Sequence, residues 1–170
     1  MTAAGEPRKR FVSLRASAAL SLILGSALTG LCVPAPRAAT TERIVVDRHT
    51  GLALYGIDPV AYFTNAKALP GRPEFELGYA GAIWRFHNEG NRAAFAADPD
   101  VYMPRYGGYD PVGIGRGLAT PGFPGLWAVW DQRLYLFYTA EARHTFITNP
   151  AAVIAAASAR WALVESELAE

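Results

Sequence analysis

Apolar positions along the chain change their spacing several times, and each change predicts an element. Phe75–Tyr79 and Ala82–Phe86 are short aromatic-rich runs on either side of Ala80-Gly81, and Leu126–Trp130 and Arg133–Tyr138 flank Asp131-Gln132 in the same way. Such runs, bounded by turn residues, read as β-hairpins. Each hairpin leads into a capping residue, Asn88 or Thr139, with an acid, Glu89 or Glu141, in the first turn that follows. A carboxylate there complements the positive end of a helix. These two helices are expected to stop before Pro99 and Pro150, because the residue ahead of a proline is disfavoured in helical backbone. Asn149-Pro150 then opens a last, alanine-rich helix. Along it Val153, Ala157, Trp161, Val164 and Leu168 share one face at helical spacing. That stripe requires a partner surface. The domain's own sheet is the first expectation, and another protein is the alternative.

The two hairpin-helix units repeat one another. Trp84-Arg85-Phe86, Arg92, Phe95 and Asp98-Pro99 align with Tyr135-Leu136-Phe137, Arg143, Phe146 and Asn149-Pro150 at an offset of 51 residues. The fold class expected is therefore α+β: small antiparallel hairpins packed on short helices, duplicated, with the alanine-rich helix at the C-terminus. Phe86 and Phe95 should be buried as Phe137 and Phe146 are. Between the units, Tyr102 to Gly125 holds seven glycines. That content excludes a regular helix and predicts a loop. Its tyrosines, with apolar rings and polar tips, predict that Tyr102–Gly117 is ordered and forms one wall of a pocket near Tyr55–Phe63.

Residues 1–39 follow a different pattern. Arg8, Lys9, Arg10 and Arg15 precede an uncharged stretch, Ala16 to Val33, which is followed by Pro34, Pro36 and small residues. This is the three-part pattern of a secretory signal peptide, with the cleavage position left open. The protein is then expected in the periplasm or outside the cell, and the body runs over 40–170. A retained membrane anchor is the alternative, since the stretch is just long enough to span a bilayer. Arg8-Lys9-Arg10 resembles a twin-arginine export motif with one substitution. The run ending at Cys32 has Leu31 where a lipoprotein box needs a small residue, so lipidation is not expected.

Charge excludes one class of partner. The whole chain has 16 basic and 15 acidic residues. Setting aside the five basic residues and one acid of 1–39 leaves 11 and 14, and a mildly acidic body has no electrostatic affinity for nucleic acid. Cys32 is the one cysteine, so neither an intrachain disulfide nor a multi-cysteine zinc site can form. After residue 39 the serines are Ser158 and Ser166, both in the last helix, and no Gly-x-Ser-x-Gly segment occurs. Covalent serine or cysteine catalysis is therefore not expected. Gly113-Ile114-Gly115-Arg116-Gly117 lacks the spacing and βαβ context of a dinucleotide loop.

Asp58-Pro59-Val60 recurs as Asp110-Pro111-Val112. An aspartate before proline is extended, and its carboxylate bonds the backbone of the following turn, so both are read first as turn-builders. The functional alternative is that the two carboxylates line one pocket with Tyr55, Tyr62 and Tyr106. Arg85, Arg92 and Arg143 are expected to pair with these acids. No two of His49, His87 and His144 fall at a metal-binding helical spacing. His49 is expected in a solvated turn and His144 on the surface. His87 ends a strand at a helix start, where a plain hydrogen-bonding role is expected. With Asp110 and the Tyr106 hydroxyl it would make a nitrogen-and-oxygen metal site.

The segment Tyr55-Gly56-Ile57-Asp58-Pro59-Val60-Ala61-Tyr62-Phe63 resembles the opening motif of exported YHS-domain proteins. Trp84-Arg85-Phe86, Asn91-Arg92, Phe95, Asp98-Pro99 and Tyr102 continue the likeness. Pro104-Arg105-Tyr106-Gly107-Gly108-Tyr109, Leu134–Tyr138 and Trp161 complete it, over roughly 45–165. The resemblance implies a small α+β module, some of whose relatives bind metal through cysteines. Asp110 stands where that family commonly has a cysteine, which removes its soft-metal ligand and argues against a thiolate site. The expected role is that of an exported binding or accessory module for a small ligand or protein partner, with a metal ion as one possible associate. The alternatives are an enzyme using the Tyr/Asp/His pocket and a structural partner docking through its last helix.

Overall fold

The structure, a computed structural model, describes residues 43–168. A 3₁₀ turn over Leu54–Gly56 and a one-turn helix α1 (Ala61–Thr64) precede the first hairpin, β1 (Arg72–Tyr79) and β2 (Ala82–Phe86), and then α2 (Glu89–Ala97). Next come α3 (Pro99–Tyr102), a 3₁₀ turn over Arg105–Gly108, and α4 (Pro111–Ile114). The second hairpin, β3 (Phe123–Trp130) and β4 (Arg133–Phe137), leads to α5 (Ala140–Thr148) and the long α6 (Pro150–Glu167). The class is α+β, with two separate antiparallel two-stranded sheets among the described residues.

The caps work as the sequence predicts. The side chains of Asn88, Thr139 and Asn149 accept hydrogen bonds from the amides of Asn91, Ala142 and Ala152, each satisfying an amide that the helix leaves unpaired. Asp98 and Asn149, both ahead of proline, take nearly the same backbone angles, φ −149° with ψ 77° and 75°. Both strand pairs carry an irregularity near the start of the hairpin. Arg72 pairs Phe86 and then Glu76 pairs Arg85, while Phe123 pairs Phe137 and then Trp127 pairs Leu136. The extra residues include Pro73 and Pro124, which have no amide to give a ladder and fit only where the ladder is interrupted. These bulges carry β1 and β3 three residues further towards the N-terminus than their aromatic runs suggest.

The glycine-rich segment differs from the expected loop. It is built from single turns, α3, the 3₁₀ turn and α4, with glycines closing the last two. Gly107 and Gly108 have φ +62° and +93°. Gly107 also backs directly onto the Arg43 carbonyl, with no room for a side chain. Glycine excludes a long helix but permits turns that need positive φ or a close backbone approach.

The duplication holds in three dimensions. The Phe86 and Phe95 rings lie 5.2 Å apart and inclined by 53°; those of Phe137 and Phe146 lie 5.1 Å apart, also at 53°. Trp84 meets Phe95 at 4.9 Å, and Tyr135 meets Phe146 at 4.7 Å. All four phenylalanines are buried. β4 is buried along Leu134–Phe137 and serves two cores. Leu134 and Leu136 join a cluster with Leu54, Tyr62, Trp84 and Phe95, while Tyr135 and Phe137 join one with Tyr106, Ile114, Phe146 and Val164. Alternation along a strand sends successive side chains to opposite faces, and an unbroken apolar strand is what two covered faces require. The C-terminal stripe packs within the chain. Val153, Ala157, Trp161, Val164 and Leu168 all lie in or against the second cluster.

Candidate functional site

Asp58 and Asp110 occupy matching places in the two halves. Asp58 Oδ1 accepts hydrogen bonds from the amides of Val60 (2.8 Å) and Ala61 (3.3 Å). Its Oδ2 accepts from the His87 amide (2.7 Å) and from Asn91 Nδ2 (2.6 Å). Asp110 Oδ1 accepts from the Val112 amide (2.9 Å) and Oδ2 from the Tyr138 amide (3.0 Å). Each carboxylate thus closes the turn it begins and ties that turn to the residue just after the hairpin. Both are buried, and a buried carboxylate is tolerated only with such donors. The sequence predicts turn-building for both, and the structure adds the second tie, across 29 and 28 residues.

The other predicted site residues are dispersed. Tyr62 is buried, its hydroxyl donates to the Pro124 carbonyl at 2.9 Å, and its ring meets Trp127 edge-on. Burial, with a smaller contribution from the nearby Asp58 carboxylate, pushes the Tyr62 hydroxyl well above the usual tyrosine range. Tyr106 is buried under α6, with its hydroxyl 2.9 Å from Ser158 Oγ and its ring against Trp161. Tyr55 is exposed. His87 Nδ1 lies 3.3 Å from the Pro70 carbonyl oxygen, which only accepts, so this bond places the ring proton on Nδ1. His87 and Asp110 bond in different halves of the duplication. Among the described residues no group of three or more His, Cys, Asp or Glu is arranged to hold a metal. The donor set does not fit a metal centre at His87 and Asp110.

The arginines correct the sequence expectation. Arg85 Nε pairs with Glu76 at 2.6 Å, Arg92 with Glu89 at 2.6 Å, and Arg143 Nε donates to the Trp127 carbonyl at 2.7 Å. None pairs with Asp58 or Asp110, whose oxygens accept from backbone amides and, at Asp58, from Asn91 as well. The guanidinium groups remain near the surface with partners on their own or an adjacent element.

Two clefts border the segment that carries Asp47 and Arg48. The larger, about 980 Å³, is lined by Arg43, Asp47, Arg48, Met103, Trp161 and Glu165, and by the β1–β2 turn. The smaller, about 240 Å³, is lined by Tyr55, Tyr109, Pro121, Asp47, Arg48 and His49. Asp47 Oδ1 accepts from the amides of His49 (2.8 Å) and Thr50 (3.0 Å). These bonds, that of Thr50 foremost, hold its carboxyl below the usual aspartate range. The glycine-rich segment contributes Met103, Pro104 and Gly107 to the larger cleft and Tyr109 to the smaller. Sequence reasoning did not find Arg43, Asp47, Trp161 and Glu165 as neighbours. The Asp47-x-x-Thr50 spacing marks the turn, but only the packing of α6 brings Trp161 and Glu165 beside it.

The segment 1–39, for which the sequence predicts a signal peptide, lies outside the described residues. Among those described, no single helix is long and apolar enough to cross a membrane. No family model matches the chain, and neither a curated protein nor a solved structure matches it.

Proposed function

We propose that the chain is an exported, YHS-like binding or accessory module that holds a small ligand in the larger cleft. The observation that carries this reading is the cleft's lining. Arg43, Asp47 and Glu165 surround a partly exposed Trp161 in a concavity of about 980 Å³, the scale of small-molecule sites. Charges of both signs beside an indole suit a small polar ligand with an unsaturated or aromatic part. The family resemblance and the leader-like 1–39 support the module and its export. The candidate acids, by contrast, are committed to holding turns, so the Tyr/Asp/His pocket has nothing comparable in its favour.

The test is native mass spectrometry and metal analysis of the protein purified from its own compartment. A mature N-terminus near residue 40 and a retained small molecule are expected. The Arg43→Ala/Glu165→Ala double variant should lose that molecule. A bare polypeptide mass, with no thermal stabilisation by any member of a panel of anionic and aromatic metabolites, would reject the cleft as a ligand site. One equivalent of a metal ion would turn the reading to a metal-associated module.

A further inference from the structure

Trp161 and Glu165 lie one turn apart on α6, so they share a face of that helix, and both line the larger cleft. Both are half-buried. The Trp161 ring is held against Tyr106 and Tyr109, at centroid distances of 5.5 and 6.3 Å. The Glu165 carboxylate has no hydrogen-bond or ion-pair partner among the described residues. Asp47, the other acid of the lining, already has one oxygen committed to two backbone amides. An indole beside an unpaired, partly desolvated carboxylate attracts a cation twice, through the ring's quadrupole and through charge-assisted hydrogen bonds. A quaternary ammonium is held by a cage of several rings and has no N–H to give a carboxylate. One indole with one carboxylate therefore suits an ammonium group that keeps its N–H donors.

The rest of the lining says what accompanies that ammonium. Arg43 lines the same cleft, and its guanidinium also has no partner among the described residues. Arg43, Asp47, Arg48 and Glu165 are the charged residues of the wall, two of each sign. Such a balance favours a ligand that is neutral overall but carries both charges. Ile44, Val46, Met103 and Pro104 add apolar surface. Ala80 and Gly81 line the cleft at the places where the second hairpin has Asp131 and Gln132. Both turns have the same left-handed backbone, and a Cβ on Gly81 would meet nothing within 4 Å. The fold thus accepts larger side chains at this turn, and the small ones leave the cleft open.

We propose that the larger cleft binds an α-amino acid or short peptide with apolar side chains, its ammonium on Trp161 and Glu165 and its carboxylate on Arg43. The inference rests on reading that cleft as a ligand site, and it names the class of ligand.

Calorimetric titration of the protein with phenylalanine and leucyl-phenylalanine tests it, beside N-acetylphenylalanine, which lacks the ammonium, and phenylalaninamide, which lacks the carboxylate. At least one of the first two is expected to bind, and the tighter of them tells a free amino acid from a peptide. Each blocked compound should bind about tenfold or more weaker, the loss of one charge-assisted contact. Glu165→Gln should erase the preference over N-acetylphenylalanine, and Arg43→Ala the preference over phenylalaninamide. Thermal unfolding should be unchanged in both, since neither side chain has a partner in the fold. Gly81→Gln, which gives this turn the residue of the other hairpin, should weaken binding by filling the cleft. Blocked compounds that bind as tightly as their parents would overturn the proposal, as would an undiminished preference in Glu165→Gln. No binding of phenylalanine or leucyl-phenylalanine at millimolar concentration would overturn it as well. If an anionic or aromatic metabolite still bound and was lost in Arg43→Ala/Glu165→Ala, the cleft would stand as a ligand site of another class. Silence from every compound would reject the cleft and this inference together.

Discussion

Asp58 accepts four hydrogen bonds and Asp110 two from side chain or backbone donors across and within the turn. Of the two extra bonds one comes from the Ala61 amide and the shorter from Asn91, which has Ala142 at its matching place. Removing either carboxylate strands buried amides, so Asp58→Ala should cost about 4 kcal/mol and Asp110→Ala about 2 kcal/mol. Urea denaturation checks the order, and equal losses would show that the count of donors does not set the stability. Tyr62 gives a pH signature. An ordinary tyrosine titrates at 10.0, and burial holds this one higher. The unfolded chain therefore releases the proton first, and stability should be constant below about pH 10 and fall as pH rises above it. Tyr62→Phe loses the bond to Pro124 and should be about 1 kcal/mol less stable at pH 8. Its decline between pH 8 and pH 11, followed by urea midpoints, should be shallower than that of the parent chain. An equally steep decline would move the effect to other groups, Tyr135 among them, whose hydroxyl burial also raises.

The two hairpins solve the same geometric problem with different residues. Their turns place Ala80 and Gly81 at φ 50° and 79°, and Asp131 and Gln132 at 47° and 54°. Two left-handed residues match the twist of the strands, but only glycine adopts that conformation without a Cβ penalty. Gln132→Gly should therefore stabilise the protein by about 0.5–1 kcal/mol, read as a rise in the thermal midpoint; a fall would mean that the Gln132 side chain contributes something that its exposure hides. Two glycines at the start of the second hairpin, Gly122 just before β3 and Gly125 within it, differ from one another. A Cβ on Gly122 would lie 2.5 Å from Leu136 Cβ and 2.8 Å from the Gly108 carbonyl oxygen, whereas one on Gly125 would meet nothing within 4 Å. Gly122→Ala should cost about 2 kcal/mol or more, while Gly125→Ala should be near neutral. Matched losses in thermal unfolding would contradict this close approach.

The whole molecule is an asymmetric use of a symmetric unit. The first half rests Tyr62 on the second hairpin, through Pro124 and Trp127. In the second half α6 takes the corresponding place, with Trp161 against Tyr106 and Tyr109. Repeats that stack need such a closing element, because the last unit would otherwise expose its apolar face. A chain ending at Asn149 should lose cooperative unfolding and bind a hydrophobic dye. Trp161→Ala should cost about 3 kcal/mol, measured by urea denaturation. A truncated chain with a sharp transition would show that the second half is complete without its cap.

Much of this was legible in the chain because it depends on near neighbours. The hairpins follow from aromatic runs around turn residues, the helix starts from Asn88, Thr139 and Asn149, their ends from Pro99 and Pro150, and the duplication from Phe86, Phe95, Phe137 and Phe146. The turn-closing role of Asp58 and Asp110 was legible for the same reason, since an aspartate before proline bonds the next two or three amides. Contacts between distant segments were not legible. Nothing local marks Asn91 as the partner of Asp58, and arginines near acids in sequence found other partners, because backbone amides had already filled the carboxylates. Nor does periodicity show which core a turn residue joins. Leu54 and Tyr106 take the same place on the turn ahead of each Asp-Pro-Val segment, and only tertiary packing sends Leu54 into the first core and puts Tyr106 under α6 in the second.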